Sequence, residues 1–261
     1  MTEDKDAQED GLRSWIHQTG FPIEHQAGEA LRQVGYAVEY GSRYAAESTR
    51  GARETDVIGR EPMVGDDDDI EVVIEAKHIE RPWVVRLADD VLTPVAAANL
   101  VVMESNTRAA LALEMEGEPD DVPFVLGFAR PVGFAIVEGP EQQPQAHRSD
   151  PFPALQAAVA AARARQARRS MYEPGRWASL PVIVVDGALW TVRFQDSAEA
   201  SFTRVEWHRI RWAGASDAEA VLVDVVTLEG LEEYARRLRA DTQWLAGWMK
   251  RHPRPPASMW A

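Results

Sequence analysis

The run Ile70-Glu71-Val72-Val73-Ile74-Glu75-Ala76 leaves this chain the least freedom. Its β-branched side chains lose little on a pleated, half-buried or buried surface, so it predicts a strand. The run closes on Lys77, one of only three lysines (Lys5, Lys77 and Lys250) among 28 Lys and Arg residues. An ammonium on a burial-prone strand is costly unless an opposite charge or a metal site compensates it. Lysine is a compact charge with a tunable pKa, whereas arginine stays protonated, so a lysine in a chain that otherwise prefers arginine marks a position chosen for chemistry.

Side chains alternate along a strand, so Glu75 and Lys77 share one face while Ala76 and His78 take the other. Upstream, Arg53-Glu54-Thr55-Asp56-Val57-Ile58-Gly59 reads as a second strand ended by glycine. The acidic turn Gly65-Asp66-Asp67-Asp68-Asp69 makes an antiparallel hairpin the simplest connection, and that pairing brings Asp56 beside Glu75. Two carboxylates and a backbone carbonyl are hard oxygen ligands that suit Mg²⁺ or Mn²⁺. A lysine alongside can orient a water or help deprotonate it. The competing reading is a surface ion pair at a strand end, since Glu3-Asp4-Lys5 repeats the same spacing in a polar tail.

Residues 21–36 read as a helix carrying Glu24 and Glu29 and ending at Gly35-Tyr36. A helix with an acid, a strand with Asp56, then Glu75-Ala76-Lys77 on the next strand is similar to the PD-(D/E)XK nuclease superfamily, over roughly residues 21–85; Thr55 stands where that motif has proline. The resemblance implies an α/β, restriction endonuclease-like core of helix, three-strand antiparallel meander, helix and further strand, here with a C-terminal α/β extension. It implies an Mg²⁺- or Mn²⁺-dependent phosphodiesterase or endonuclease acting on nucleic acid, by analogy DNA, in prokaryotic defence or repair. Asp56, Glu75 and the Ala76 carbonyl then hold the ion and Lys77 positions the attacking water. Glu24 completes the site or helps bind a second ion, with Glu29 its competitor for the helix role. Arg43, Tyr44 and Arg53, on or near these strands, are candidates for positioning the scissile phosphate; a salt-bridged surface explains them equally well.

The formal charge of −14 runs against nucleic acid binding, where a basic footprint is usual. Much of it is local: residues 66–69 are consecutive aspartates, and five of the first ten residues are acidic. The charge also admits an activating partner or ligand, self-association, or a second function class: a non-catalytic protein of this fold whose acidic surface binds a basic partner. With no cysteine, disulfides, thiolate zinc sites and cysteine nucleophiles are excluded, and a reducing cytoplasm fits. The acidic start lacks the apolar core of a secretory leader, and no apolar stretch has the length of a membrane span. No Gly-x-Ser-x-Gly, Walker loop, Gly-x-Gly-x-x-Gly or His-Glu-x-x-His occurs.

The chain is divided into an acidic tail (1–14), one domain (15–252) and a terminal tail (253–261). Beyond the hairpin, residues 84–116 read as helices broken at Pro94, 122–128 and 134–138 as strands, 139–153 as a loop and 154–169 as an alanine-rich helix. Residues 181–186 and 188–194 form a hairpin across Asp186-Gly187. Strands at 205–212 and 220–227 and a helix at 228–250 follow. Arg165, Arg168 and Arg169 cluster by helical spacing, as a phosphate contact or, more simply, a solvated face. Trp244 and Trp248 share a helix face with Leu238 and Leu245, which points to packing rather than base stacking.

Overall fold

The computed structural model describes residues 11–12, 15–16, 19–45, 52–62, 68–117, 131–139, 150–172, 175–194, 199–213 and 220–252. In chain order the first elements are α1 (Phe21–Gln33), β1 (Ala37–Ala45), β2 (Ala52–Arg60), β3 (Asp69–His78) and β4 (Trp83–Val91). There follow α2 (Pro94–Ala98), β5 (Val102–Met103), α3 (Ser105–Glu116), β6 (Pro131–Glu138), α4 (Pro151–Tyr172) and β7 (Trp177–Asp186). The last are β8 (Leu189–Phe194), β9 (Ala200–Val205), β10 (Trp207–Trp212), β11 (Val221–Thr227) and α5 (Leu231–Arg251). The strands form one mostly antiparallel, eleven-stranded sheet of order β1-β2-β3-β7-β11-β10-β6-β4-β8-β9, with β5 added to β7. The fold is mixed α/β.

The β-branched run is the interior strand β3, buried from Ile70 to Ala76. Its alternation divides two cores. Ile70, Val72, Ile74 and Ala76 join Ala27 and Leu31 of α1 and Tyr234 and Leu238 of α5. Val73 joins Ile183 and Val185 of β7 and Leu155, Ala158 and Ala162 of α4 on the other side. Each fully buried aliphatic side chain of this kind contributes about 1.5–3 kcal/mol. The packing expected of the two tryptophans is found: Trp248 is buried and Trp244 lies partly buried against the first core.

The meander β1–β2–β3 is antiparallel as expected, and β7, which follows α4, lies parallel to β3. The rest differs. Residues 83–91 are a strand, not helix, because Trp83, Val85 and Leu87 alternate into the α4-side core. The expected hairpin across Asp186-Gly187 does not form: β7 pairs with β3, β5 and β11, and β8 with β4 and β9. Instead, β3–β4 and β7–β8 are two long parallel strands bent at the same place. Their ladder runs from Asp69↔Trp177 to His78↔Asp186 and resumes from Trp83↔Leu189 to Arg86↔Val192. Within the bend the Ile79 and Trp83 N–H groups donate to the carbonyls of Asp186 and Ala188, at 3.2 and 2.9 Å. Gly187 is required there by close approach, since a Cβ would lie 2.3 Å from Ile79 Cγ1. The strand expected at 134–138 begins earlier, at Pro131, as β6, α4 begins within the expected loop, and residues 122–128 lie outside those described.

Buried ion pairs fasten the helices to the sheet. Arg165 of α4 meets Glu71 of β3 through two bonds of 2.5 and 2.8 Å and donates to Ser42 Oγ at 3.1 Å. It is 9% exposed, which removes it from the phosphate-contact candidates. Arg168 is exposed, and the Arg169 side chain lies outside those described. Arg209 of β10 pairs with Asp224 of β11 at 2.5 and 2.6 Å, and the Tyr234 hydroxyl of α5 donates to the same carboxylate at 2.7 Å. Glu61 receives Arg239 and Thr242 from α5, and Thr242 meets the Tyr36 hydroxyl at 2.7 Å. Among the described residues no helix is long and apolar enough to cross a membrane.

Candidate functional site

The β2–β3 ladder runs from Arg60↔Glu71 to Val57↔Ile74 and stops there. At the next position the Asp56 side chain replaces a strand bond: its Oδ2 accepts the Ala76 N–H at 2.7 Å. The two strands therefore part where Asp56 and Glu75 meet. Gly41 of β1 occupies the matching unbonded position opposite Asp56, between Tyr40↔Val57 and Ser42↔Thr55, with φ +62°. It turns the strand over. Arg32 of α1 donates to the Tyr40 hydroxyl at 3.1 Å, whereas Ser42 and Tyr44 are bonded on the α4 side. Such a left-handed residue is adopted cheaply only by glycine.

Lys77 follows on β3 and its Nζ lies 2.7 Å from Glu75 Oε1, with the lysine side chain 40% exposed. Glu24, in the first turn of α1, lies within the same field: its carboxyl is raised by burial, then by Asp56 and Glu54, against the lowering influence of Lys77. The structure thus brings Asp56, Glu75 and Lys77 together, with Glu24 within electrostatic reach of them. Glu29 faces elsewhere and is paired with Arg32 of its own helix, so Glu24 is the helix carboxylate of this cluster.

Asp56 is raised from its ordinary value chiefly by burial, with the Ala76 N–H and Lys77 pulling it back. Glu75 is raised by burial and then by Asp56, against Lys77 and Arg53. Lys77 is opposed by burial, but Glu75, Asp56 and Glu24 outweigh it and strengthen its hold on the proton. Glu54 also presses on Asp56 and Glu24, and the sequence reading missed it. Its signal was present, two residues before Asp56 on one strand.

The three phosphate candidates separate. Arg53 is exposed and its charge reaches Glu75. Tyr44 is 8% exposed; its hydroxyl donates to the Ala157 carbonyl of α4 at 3.4 Å and is raised from its ordinary value by burial and then by Glu75, against Arg53, so it stands between α4 and the acidic cluster. Arg43 is exposed on β1, opposite Glu54. His78 points away as expected and meets Asp186 at 3.1 Å on the surface, while Trp83 is buried in the α4-side core. Among the described residues no three His, Cys, Asp or Glu side chains stand close enough to form a ready metal cage. The oxygen donors that the cluster offers are the Asp56 and Glu75 carboxylates, the Ala76 carbonyl and Glu24.

No family model, no curated protein and no solved structure matches the chain. The arrangement is therefore read on its own chemistry. Carboxylates crowded so that their pKa values rise, beside a lysine held protonated, form a site that favours added positive charge.

That crowding has a stability cost with a definite sign. A carboxyl raised in the folded state keeps a proton that the unfolded chain releases, so it withdraws stability as pH climbs from its ordinary value through its folded value, and nothing below. Asp56→Asn keeps an oxygen for the Ala76 N–H and removes the buried charge. It is expected to stabilise the metal-free protein at pH 7–8 by on the order of 1 kcal/mol, about 2–4 °C in Tm, with the gain vanishing near pH 4. Thermal melts of both proteins across that range check it; a lower Tm for the variant at pH 7–8 contradicts the assignment.

Proposed function

We propose that this chain is a divalent-metal-dependent nuclease of the PD-(D/E)XK type that hydrolyses phosphodiester bonds, with DNA the favoured substrate. One observation carries the reading: Asp56 and Glu75 meet where β2 and β3 part, with Lys77 two residues on and Glu24 of α1 beside them. The path α1–β1–β2–β3, then α4 and a strand parallel to β3, supports it, since this is the order of elements that the resemblance implies.

The donor set fits Mg²⁺ or Mn²⁺. Mg²⁺ is commonly bound through one or two carboxylates with waters in the remaining positions, which Asp56, Glu75 and the Ala76 carbonyl satisfy without a closed cage. A divalent cation there supplies Lewis acidity and screening for the charge that builds on the phosphoryl oxygens. Lys77 positions the attacking water, Glu24 holds the outer side of the site, and Arg53 steers the phosphate. Lys77 pairs with Oε1 of Glu75, so the second carboxylate oxygen can serve as a ligand beside that ion pair.

That same ion pair is the observation favouring the second reading, a non-catalytic protein with an acidic surface for a basic partner. Lysine substitutions separate the two. Lys77→Arg is expected to abolish plasmid nicking, because a larger, planar guanidinium cannot place the compact charge that the ammonium holds beside Glu75. Lys77→Ala is expected to be equally inactive while binding Mn²⁺ as well as or better than the parent, since a neighbouring cation has been removed. Nicking assays with calorimetry decide it, and an active Lys77→Arg protein sinks the mechanism.

A further inference from the structure

We infer that the outer face of β4, β8 and β9 is a binding platform for single-stranded nucleic acid. The sheet has two differently covered regions. Around β3, β7 and β11, the helices cover both sides. Farther along, Trp83, Val85 and Leu189 still turn into the α4-side core, so alternation sends Arg86, Val192 and Phe202 to the opposite face, in one row across β4, β8 and β9. Among the described residues no helix packs closely across β8 or β9.

That face carries aromatic rings in solvent. Phe134, Phe194 and Phe202 are 50%, 51% and 59% exposed, an unusual state for phenylalanine on a sheet. The Arg86 guanidinium stands over two of them, 5.1 Å from the Phe134 ring centre and 5.5 Å from that of Phe194. Arg86 is exposed, and no ion pair to a described carboxylate accompanies those ring contacts. Arg204, in the next row, is paired with Glu229 at 2.7 Å.

Exposed rings interleaved with an arginine match one ligand chemistry closely. Unpaired bases offer flat π-faces to phenylalanine and guanidinium, and the phosphates between them offer a counter-charge to Arg86. A second copy of this chain is a poorer occupant, because a two-fold axis through the patch sets Arg86 near its own symmetry mate. Duplex DNA is poorer too, since its bases are stacked away from the rings. The platform goes beyond the cleavage reading and does not depend on it, because its binding needs no divalent ion.

The test is fluorescence anisotropy of a labelled 15-mer of oligo(dT), and separately of oligo(rU), with the full chain in EDTA so that cleavage cannot contribute. The parent is expected to bind one or both oligonucleotides, weakening as salt rises, and to bind a duplex of equal length less well. Phe194→Ala and Phe202→Ala are each expected to weaken binding about tenfold, the scale of losing one stacked base. Arg86→Met is expected to keep the packing and flatten the salt dependence by about one unit of slope. Unchanged melting curves certify that the variants fold; these residues lie outside the Asp56–Lys77 cluster, so metal binding there stays at the parental level. The inference is overturned if the parent binds neither oligonucleotide, if folded variants bind as tightly as the parent, or if light scattering shows a parental dimer that Phe202→Ala dissociates. Loss of oligonucleotide binding with nicking retained, or the reverse, tells the platform and the cleavage site apart.

Discussion

Asp56→Ala is expected to leave plasmid DNA intact under conditions where the parent nicks it, and to weaken Mn²⁺ binding by at least about 100-fold. Changing a group that merely supports a ligand typically costs 10- to 100-fold, so loss of a ligand itself belongs at or beyond the upper end. The geometry gives Asp56 two tasks: its carboxylate faces Glu75 across the parted strands, and its Oδ2 holds the Ala76 N–H at 2.7 Å, fixing the carbonyl-bearing residue between Glu75 and Lys77. Alanine removes both. Asp56→Asn removes only the charge, so it should fold at least as well as the parent and remain inactive. Calorimetry and a nicking assay on these two proteins give a clear answer, and undiminished Mn²⁺ affinity in Asp56→Ala contradicts its assignment as a ligand.

The second large effect is structural. Asp224→Ala is expected to destabilise the fold by about 3–5 kcal/mol, roughly 10 °C or more in Tm, because it strips a buried guanidinium of its bidentate counter-ion. Arg209 is 3% exposed and Asp224 4%, so the guanidinium left behind has little solvent to replace its counter-ion. The Tyr234 hydroxyl loses its acceptor in the same step, loosening α5. Replacing the pair together, as Arg209→Met with Asp224→Leu, is expected to recover most of the loss, since two apolar side chains carry no desolvation penalty. Thermal unfolding of the single and double variants measures this; a single variant within 2 °C of the parent would falsify the claim that the pair is a buried structural tie.

The candidate site was legible because its parts are local. Asp56, Glu75 and Lys77 sit on two strands close in sequence, so period-two alternation and antiparallel pairing suffice to bring them together. Glu24 was harder, since two glutamates share its helix, and only the tertiary placement of α1 separates it from Glu29. Alternation failed at one point within the site: a left-handed Gly41 reverses the strand, which puts Tyr44 against α4, on the face of the sheet that carries Glu75. Helix–sheet ion pairs were also out of reach. Arg165 has the spacing of a solvated face, and its partner Glu71 is 94 residues away.

The sheet beyond β3 was misread for a different reason. Asp186-Gly187 does signal a sharp bend, but a turn signal says that the chain changes direction, not which strand it pairs with. Trp83, Val85 and Leu87 carried a period-two pattern that the adjacent Ala-Asp-Asp obscured, and the pairing of β4 with both β6 and β8 is wholly non-local. The extent of the C-terminal helix was read nearly correctly because a long amphipathic repeat needs no partner to be recognised.

The doubled bent strand sets the order in which this molecule assembles. His78 and Asp186, facing each other at the end of its first arm, are 108 residues apart, and contacts so distant carry a large loop-closure cost before they return any stabilisation. The β1–β2–β3 meander needs only short loops and can form early. Until α4 and β7 arrive, however, β3 presents an unpaired, strongly apolar edge, the form of strand most prone to pairing with the wrong chain.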